Sequence, residues 1–467
     1  MAPKFGTSGL RGKVDELTDG LCADYARAFL SRTPNRGEVL VGRDLRPSSE
    51  RIAGAVASGA RSFGLEVLDC GCLPTPALAM AAIARGAPSV MITGSHIPAD
   101  RNGLKFYTAT GEITKTDETA IAAALAPETA PEADGAGIGL PFPDAVAAYG
   151  ARYRAAYGPQ ALRGLRIGLY EHSSVARDLI AALLGDLGAA VVRIGRAGGF
   201  VPVDTEAVSA DLRAALPLWT AEHRLDAIVS TDGDADRPLV ADAAGRVVPG
   251  DVLGILTAAA LGAGAVVTPV SSSSAVELSG HFARVLRTRI GSPYVIAGIE
   301  ALGHEARPVG FEANGGFLLG FYARGPAGPL PALATRDALL PILAPLAEAA
   351  ARGQTLAELV AGLPARFTAS DRLQEIPTQA SAALVARLTG DAQERRGFFA
   401  GHGAETAIDT TDGLRVSFAS GVVLHLRPSG NAPELRCYAE AGDAETAERL
   451  VPETLARARR ALGGGAP

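Results

Sequence analysis

The chain has 467 residues, room for about three domains, and 48% hydrophobic with 20% charged residues exclude general disorder. Forty-four Lys and Arg against 50 Asp and Glu leave a net charge of −6, which argues against nucleic-acid or anionic-membrane binding as the main activity. Four cysteines are too few for a disulfide scaffold, and Met1 to Gly12 carry Lys4 and Arg11 with no apolar stretch, so no signal peptide and a cytoplasmic location are expected.

Short β-branched runs alternate with Ala/Leu-rich helical stretches, the pattern of α/β architecture. Residues 38–41 predict a strand, 49–63 a helix, 65–68 a strand, 77–84 a helix and 88–92 a strand. Residues 126–143 turn Pro/Gly/Ala-rich and predict a boundary. A second unit carries strands at 165–169, 190–194 and 226–230 with helices between them. The longest uncharged run, 252–270, contains three glycines, two threonines and a proline, and reads as a helix then a short strand, not a membrane span. It opens a third unit with strands at 265–268 and 308–311, and Pro364 lies near the next boundary. The last hundred residues differ: strands at 413–418, 422–426 and 435–440, then a charged helix at 444–462 that frays beyond Gly463.

The sequence shows no clean repeat, yet in each of the first three units an apolar strand runs into a polar or Gly-rich loop, where α/β sheets place their chemistry. Asp232-Gly233-Asp234-Ala235-Asp236-Arg237 is the strongest. Three carboxylates at alternate positions repel one another, and a hard cation such as Mg²⁺ removes that repulsion. Arg237 stands where an EF-hand needs Gly and Ala243 where it needs Glu, so that motif is excluded. Thr93-Gly94-Ser95-His96-Ile97-Pro98 offers a serine as nucleophile or phosphate carrier, with Asn102-Gly103-Leu104-Lys105 shortly after; local turn hydrogen bonding is the alternative. Arg427-Pro428-Ser429-Gly430-Asn431-Ala432-Pro433 gathers donors suited to a dianionic phosphate, or is a plain Pro/Gly turn. The loop Gly6-Thr7-Ser8-Gly9-Leu10-Arg11-Gly12 has the same character. Only four basic residues are lysines, Lys4, Lys13, Lys105 and Lys115, which reads first as compositional bias. No G-x-S-x-G, G-K-[ST] or H-E-x-x-H occurs, and Gly135-Ala136-Gly137-Ile138-Gly139 does not continue as a dinucleotide fingerprint.

Together these loops resemble the four ordered signatures of the α-D-phosphohexomutase superfamily. Residues 93–98 with 102–105 are similar to its phosphoserine loop, 232–237 match its metal loop in full, 311–316 are similar to its sugar loop, and 427–433 to its phosphate loop. The resemblance implies an α/β fold of three consecutive mixed α/β sheet domains plus a smaller α+β C-terminal domain around a central cleft. Their expected bounds are 1–143, 144–250, 251–365 and 366–467. It implies a reversible mutase that interconverts mannose 1-phosphate and mannose 6-phosphate, with glucose phosphates second. A phosphorylated Ser95 and a hexose 1,6-bisphosphate would serve as intermediates. Ser95, Asp232, Asp234 and Asp236 would hold Mg²⁺. Lys105 would act as general acid/base, with Arg11, His96 and Arg237 assisting. Thr7, Ser8, Glu312, Asn314, Gly315, Arg427, Ser429, Gly430 and Asn431 would bind the sugar and its non-reacting phosphate. The partners implied are small-molecule hexose phosphates, with no nucleic acid or membrane, on a monomer or homodimer. A non-catalytic phosphosugar-binding protein and an acidic-loop phosphatase are the alternatives. Gly94, Ile97, Asn314, Gly316 and Asn431 depart from the usual Ala, Asn, Ser, His and Thr.

Overall fold

A computed structural model of the chain describes residues 3–6, 9–125, 137–429 and 433–463. Its first three units use one strand order. In the first, parallel strands Glu66–Cys72, Glu38–Arg43 and Ser89–Ile92 lie side by side, and Arg101–Thr108 returns antiparallel beside the last. The second repeats this with Ala190–Arg196, Arg166–His172, Ala227–Thr231 and the antiparallel Pro238–Asp242. The third does so with Arg284–Thr288, Ala265–Pro269, Pro308–Phe311 and the antiparallel Phe317–Leu319. What recurs is a βαβ crossover and an apolar pattern, which many residue sets satisfy, so the sequence itself shows no repeat.

In each unit the third parallel strand is buried throughout, which explains its unbroken apolar reading. Each chemistry-bearing loop is the hairpin that follows this strand. The first sheet is extended at one edge by the Lys4–Phe5 and Leu10–Lys13 hairpin and at the other by Leu140–Pro141. Part of the expected boundary at 126–143 is therefore sheet, while 126–136 lie outside the described residues. Local signals agree with the helices: Thr18 caps Asp19–Leu30 through Leu21 N, and Thr114 and Asp117 form a reciprocal capping box on Lys115–Ala123.

The last unit is a five-stranded antiparallel sheet backed by helices Thr378–Gly390 and Ala444–Ala461. The frayed end expected beyond Gly463 lies outside the described residues. One apolar cluster, which includes Leu40, Leu169, Val266 and Leu356, runs through the first three units. The fourth keeps its own, around Leu388, Leu424, Cys437 and Leu455. It docks on the third through polar contacts: Glu440 accepts Ser274 N at 3.1 Å and Ser274 Oγ, and Ile290 N donates to Asp412 Oδ2 at 3.0 Å.

Candidate active site

The serine turn is built from inside the first unit. Asp44 accepts hydrogen bonds from Thr93 Oγ1 at 2.8 Å, Gly94 N at 3.2 Å and Ser49 Oγ at 2.6 Å. Its neighbour Arg46, 3% exposed, donates to the carbonyls of Ser95, Ile97, Pro98 and Arg101 over 2.5–3.0 Å and stacks on the Phe200 ring. A Cβ at Gly94 would lie 2.4 Å from Arg46 Cζ, so glycine there leaves the guanidinium its place. Ser95 has φ +54, a left-handed conformation that costs a non-glycine residue about 1 kcal/mol and is held by these bonds. Its buried Oγ donates to Asp232 Oδ2 at 2.5 Å.

Asp232, Asp234 and Asp236 are fully buried, with one oxygen of each within 4.8 Å of the others. Burial, then the charges of Asp234 and Asp236, push the Asp232 carboxyl well above its ordinary range. Burial pushes Asp234 and Asp236 up as well, but cationic neighbours win and hold both below it: chiefly Lys105 for Asp234 and Arg336 for Asp236. Lys105 Nζ lies 2.6 Å from Asp234 Oδ2 and 2.5 Å from Asp236 Oδ2. Thr75 Oγ1 donates to Asp234 Oδ2 at 2.6 Å, and the amides of Asp236 and Arg237 donate to Asp232 Oδ1. Asp234 Oδ1 and Asp236 Oδ1 are buried without a hydrogen-bond partner. Such orphaned oxygens cost about 1–3 kcal/mol or more each. An all-oxygen donor set with two unused oxygens fits a hard divalent cation.

Around this centre, Arg237 Nη1 lies 2.9 Å from His96 Nδ1. A guanidinium only donates, so Nδ1 accepts and the imidazole is neutral with its proton on Nε2. Burial first, then the Arg237 charge, hold His96 down to about 3. Its Nδ1 is 3.4 Å from Ser95 Oγ. Arg11, beside Gly103 in the sheet, donates from Nη1 to Thr93 O, and burial pushes it down to about 10, which leaves it cationic at neutral pH. In the third unit's loop Gly315 has φ +85, and a Cβ there would meet Pro238 Cγ at 2.7 Å. Asn314 Oδ1 turns back to accept Gly316 N at 3.0 Å, and its carbonyl accepts Thr205 Oγ1 at 2.9 Å.

The structure thus brings together Ser95, His96, Lys105, Arg11 and the whole 232–237 loop. Glu312 joins them through Arg336, whose Nη2 is 2.8 Å from Asp236 Oδ2 and whose Nη1 is 3.4 Å from Glu312 Oε2. Arg427 meets Asp412 of its own unit at 2.8 Å, and Ser429 N bonds Glu434 O, also of that unit. Thr7, Ser8, Gly430 and Asn431 lie outside the described residues. Sequence reasoning missed Arg336, Arg46, Asp44 and Glu112. Residues 42–46, Gly-Arg-Asp-Leu-Arg, follow an apolar strand and carry the same strand-then-polar signal as the other loops. Arg336 and Glu112 carry no local signal.

Three domain descriptions of phosphoglucomutase/phosphomannomutase match this chain: alpha/beta/alpha domain I over residues 2–132, alpha/beta/alpha domain III over 249–367 and the C-terminal domain over 368–457. The chain is 46% identical to a phosphomannomutase of Sinorhizobium fredii, with 98% of each protein covered. It is 44% identical to a phosphomannomutase of Salmonella muenchen, with 98% of this chain and 96% of that one covered. A phosphoglucomutase/phosphomannomutase family protein of Burkholderia thailandensis superposes with a TM-score of 0.77 at 21% identity, covering 99% of this chain and 98% of that one, a likeness of fold.

Proposed function

The chain belongs to the phosphoglucomutase/phosphomannomutase family of the α-D-phosphohexomutase superfamily, and from that premise we propose that it is a phosphomannomutase, an isomerase that interconverts mannose 1-phosphate and mannose 6-phosphate. The observation that carries this reading is Ser95 Oγ, hydrogen-bonded to a buried three-aspartate loop whose Asp234 and Asp236 also hold Lys105. Ser95 carries a phosphoryl group. The free hydroxyl of the bound hexose monophosphate attacks phosphorus, and the new P–O bond forms as the bond to Ser95 Oγ breaks; Lys105, an ammonium paired with Asp234 and Asp236, gives a proton to the departing Ser95 oxygen and regains one from the attacking hydroxyl. The hexose 1,6-bisphosphate turns over within the site and returns its other phosphate to Ser95, leaving the isomeric monophosphate.

Asp232, Asp234, Asp236 and an oxygen of phosphorylated Ser95 would hold Mg²⁺, which supplies charge neutralisation for phosphoryl transfer when bound. Arg237 fixes the neutral His96 beside the serine, and Arg11 adds fixed positive charge. Glu312 accepts hydrogen bonds from sugar hydroxyls, Asn314 and Gly315 shape that loop, and Arg427, Ser429, Gly430 and Asn431, with Thr7 and Ser8, receive the non-reacting phosphate. The four units proposed are 1–143, 144–250, 251–365 and 366–467, in a cytoplasmic monomer or homodimer. Among the described residues no helix is long and apolar enough to cross a membrane.

Ser95→Ala abolishes turnover of mannose 1-phosphate on this reading, and the intact wild-type protein carries the mass of one phosphoryl group mapped to Ser95. Turnover by Ser95→Ala at the wild-type rate overturns it. A parallel assay on glucose 1-phosphate decides between mannose preference and dual specificity, and binding without conversion of either sugar favours a phosphosugar-binding protein.

A further inference from the structure

The proposed mechanism gives no role to a buried cation in contact with the acidic loop. Arg336 lies in the strand Leu333–Asp337 and is 2% exposed. Its guanidinium faces three carboxylates, one from each of the first three units: Asp236 at 2.8 Å, Glu312 at 3.4 Å and Glu112 at 3.7 Å. Glu112 is itself held from the other side, where Ser292 Oγ donates to Oε2 at 2.8 Å. A planar guanidinium presents its donors in a rigid fork, so it fixes the direction of the carboxylates it meets as well as offsetting their charge. Two of those carboxylates belong to the candidate site, one in the acidic loop and one in the sugar loop.

The room for this side chain comes from Gly316. A Cβ at that position would lie 2.8 Å from Arg336 Cδ and 3.2 Å from its Cγ, with Asn314 Oδ1 also at 3.2 Å. No positive φ requires glycine there, so the close approach of the Arg336 stem is what a side chain at 316 would oppose. The sugar loop and the arginine are therefore matched to each other.

We propose that Arg336 is a positioning residue of the sugar site, which orients Glu312 and ties it to the acidic loop, and that Gly316 is the glycine that admits it. The inference rests on the mutase reading for what Glu312 binds. A buried ion pair of this kind is weak evidence for stability, whereas loss of a fixed orientation shows in substrate binding.

The test compares Arg336→Lys, Arg336→Met, Gly316→Ala and the Met/Ala double variant with wild type. The readouts are KM and kcat for mannose 1-phosphate, the calorimetric Kd of the same sugar on metal-free protein, and circular dichroism for the fold. Arg336→Lys keeps the charge but cannot span three carboxylates, and is expected to raise KM about tenfold or more while kcat changes by less than about threefold. Gly316→Ala is expected to raise KM by itself and to add nothing in the Arg336→Met background. A folded Arg336→Lys with wild-type KM, or full additivity of the two substitutions, overturns the proposal. If Arg336→Met does not fold, the same cycle is run with Arg336→Lys. A wild-type protein with no turnover overturns the mutase reading instead, and Arg336 is then judged on the calorimetric Kd alone.

Discussion

The three aspartates of the acidic loop are buried where bulk water cannot screen them, and Lys105, Arg336, Arg237 and Arg11 offset their charge in part. A divalent cation that binds the native loop and not the unfolded chain adds stability, about 2.7 kcal/mol at a hundred times its Kd. Mg²⁺ is therefore expected to raise the thermal midpoint of wild type and to leave that of Asp234→Asn unmoved; a shift of equal size in both would remove the loop from the metal site. A second expectation concerns His425, whose Nε2 is 2.6 Å from Asp412 O and whose Nδ1 is buried without a partner. Burial first holds it down to about 4, against an ordinary value of about 6.5, so the native state keeps it neutral. Its contribution is complete above pH 6.5 and is lost as pH falls toward 4, because the unfolded chain takes up the proton first. His425→Asn should flatten the fall in unfolding free energy between pH 6.5 and 5 by up to one proton's slope, about 1.4 kcal/mol per pH unit; an unchanged slope in denaturant titrations counts against it. The motif residues were legible because their chemistry is local. Arg336 was not, because an arginine in a strand has meaning only through Asp236 and Glu312, 100 and 24 positions away.

Strands and helices followed the sequence closely where patterning is strong. Residues 308–311 form the expected strand, and the uncharged run resolves into helix Gly250–Ala260 and strand Ala265–Pro269. Less legible was which unit an element serves. Helix Asp144–Tyr157 opens the unit expected at 144–250, yet its Tyr149 and Tyr153 hydroxyls both donate to Asp337 at the end of the third unit's Leu333–Asp337 strand. The same carboxylate accepts Leu339 N at 2.8 Å and Leu340 N at 3.4 Å, where helix Leu339–Arg352 begins. Asp337→Ala leaves two buried hydroxyls and a helix start unpartnered, and is expected to cost about 3–5 kcal/mol. Asp337→Asn, which keeps the shape and part of the bonding, should cost less. Urea unfolding of the two variants checks the order, and equal, small losses would show that this junction contributes little.

Over the whole molecule, the repeated strand order explains how three loops of unrelated sequence come to one place, since each sits at the same hairpin of the same sheet plan. The fourth unit is different. It has its own core and meets the third through side chains, so its arrangement could not be read from pattern or period. Glu440, 4% exposed, is central to that junction: Arg366 Nε donates to it at 2.5 Å, Arg415 lies 3.8 Å away, and Ser274 of the third unit donates to it from both N and Oγ. Removing one member of such a buried charged cluster leaves the others desolvated and unpaired. Arg427 and Ser429, proposed to receive the substrate's non-reacting phosphate, belong to this unit and meet a sugar whose other end is at Ser95 only if the unit is held in register. Glu440→Ala is therefore expected to enlarge the radius of gyration in solution scattering and to raise KM for mannose 1-phosphate several-fold. Phosphate on Ser95, which lies in the first unit, should persist in the variant. A variant with wild-type scattering and wild-type KM would place control of the fourth unit elsewhere, at the Ile290–Asp412 contact.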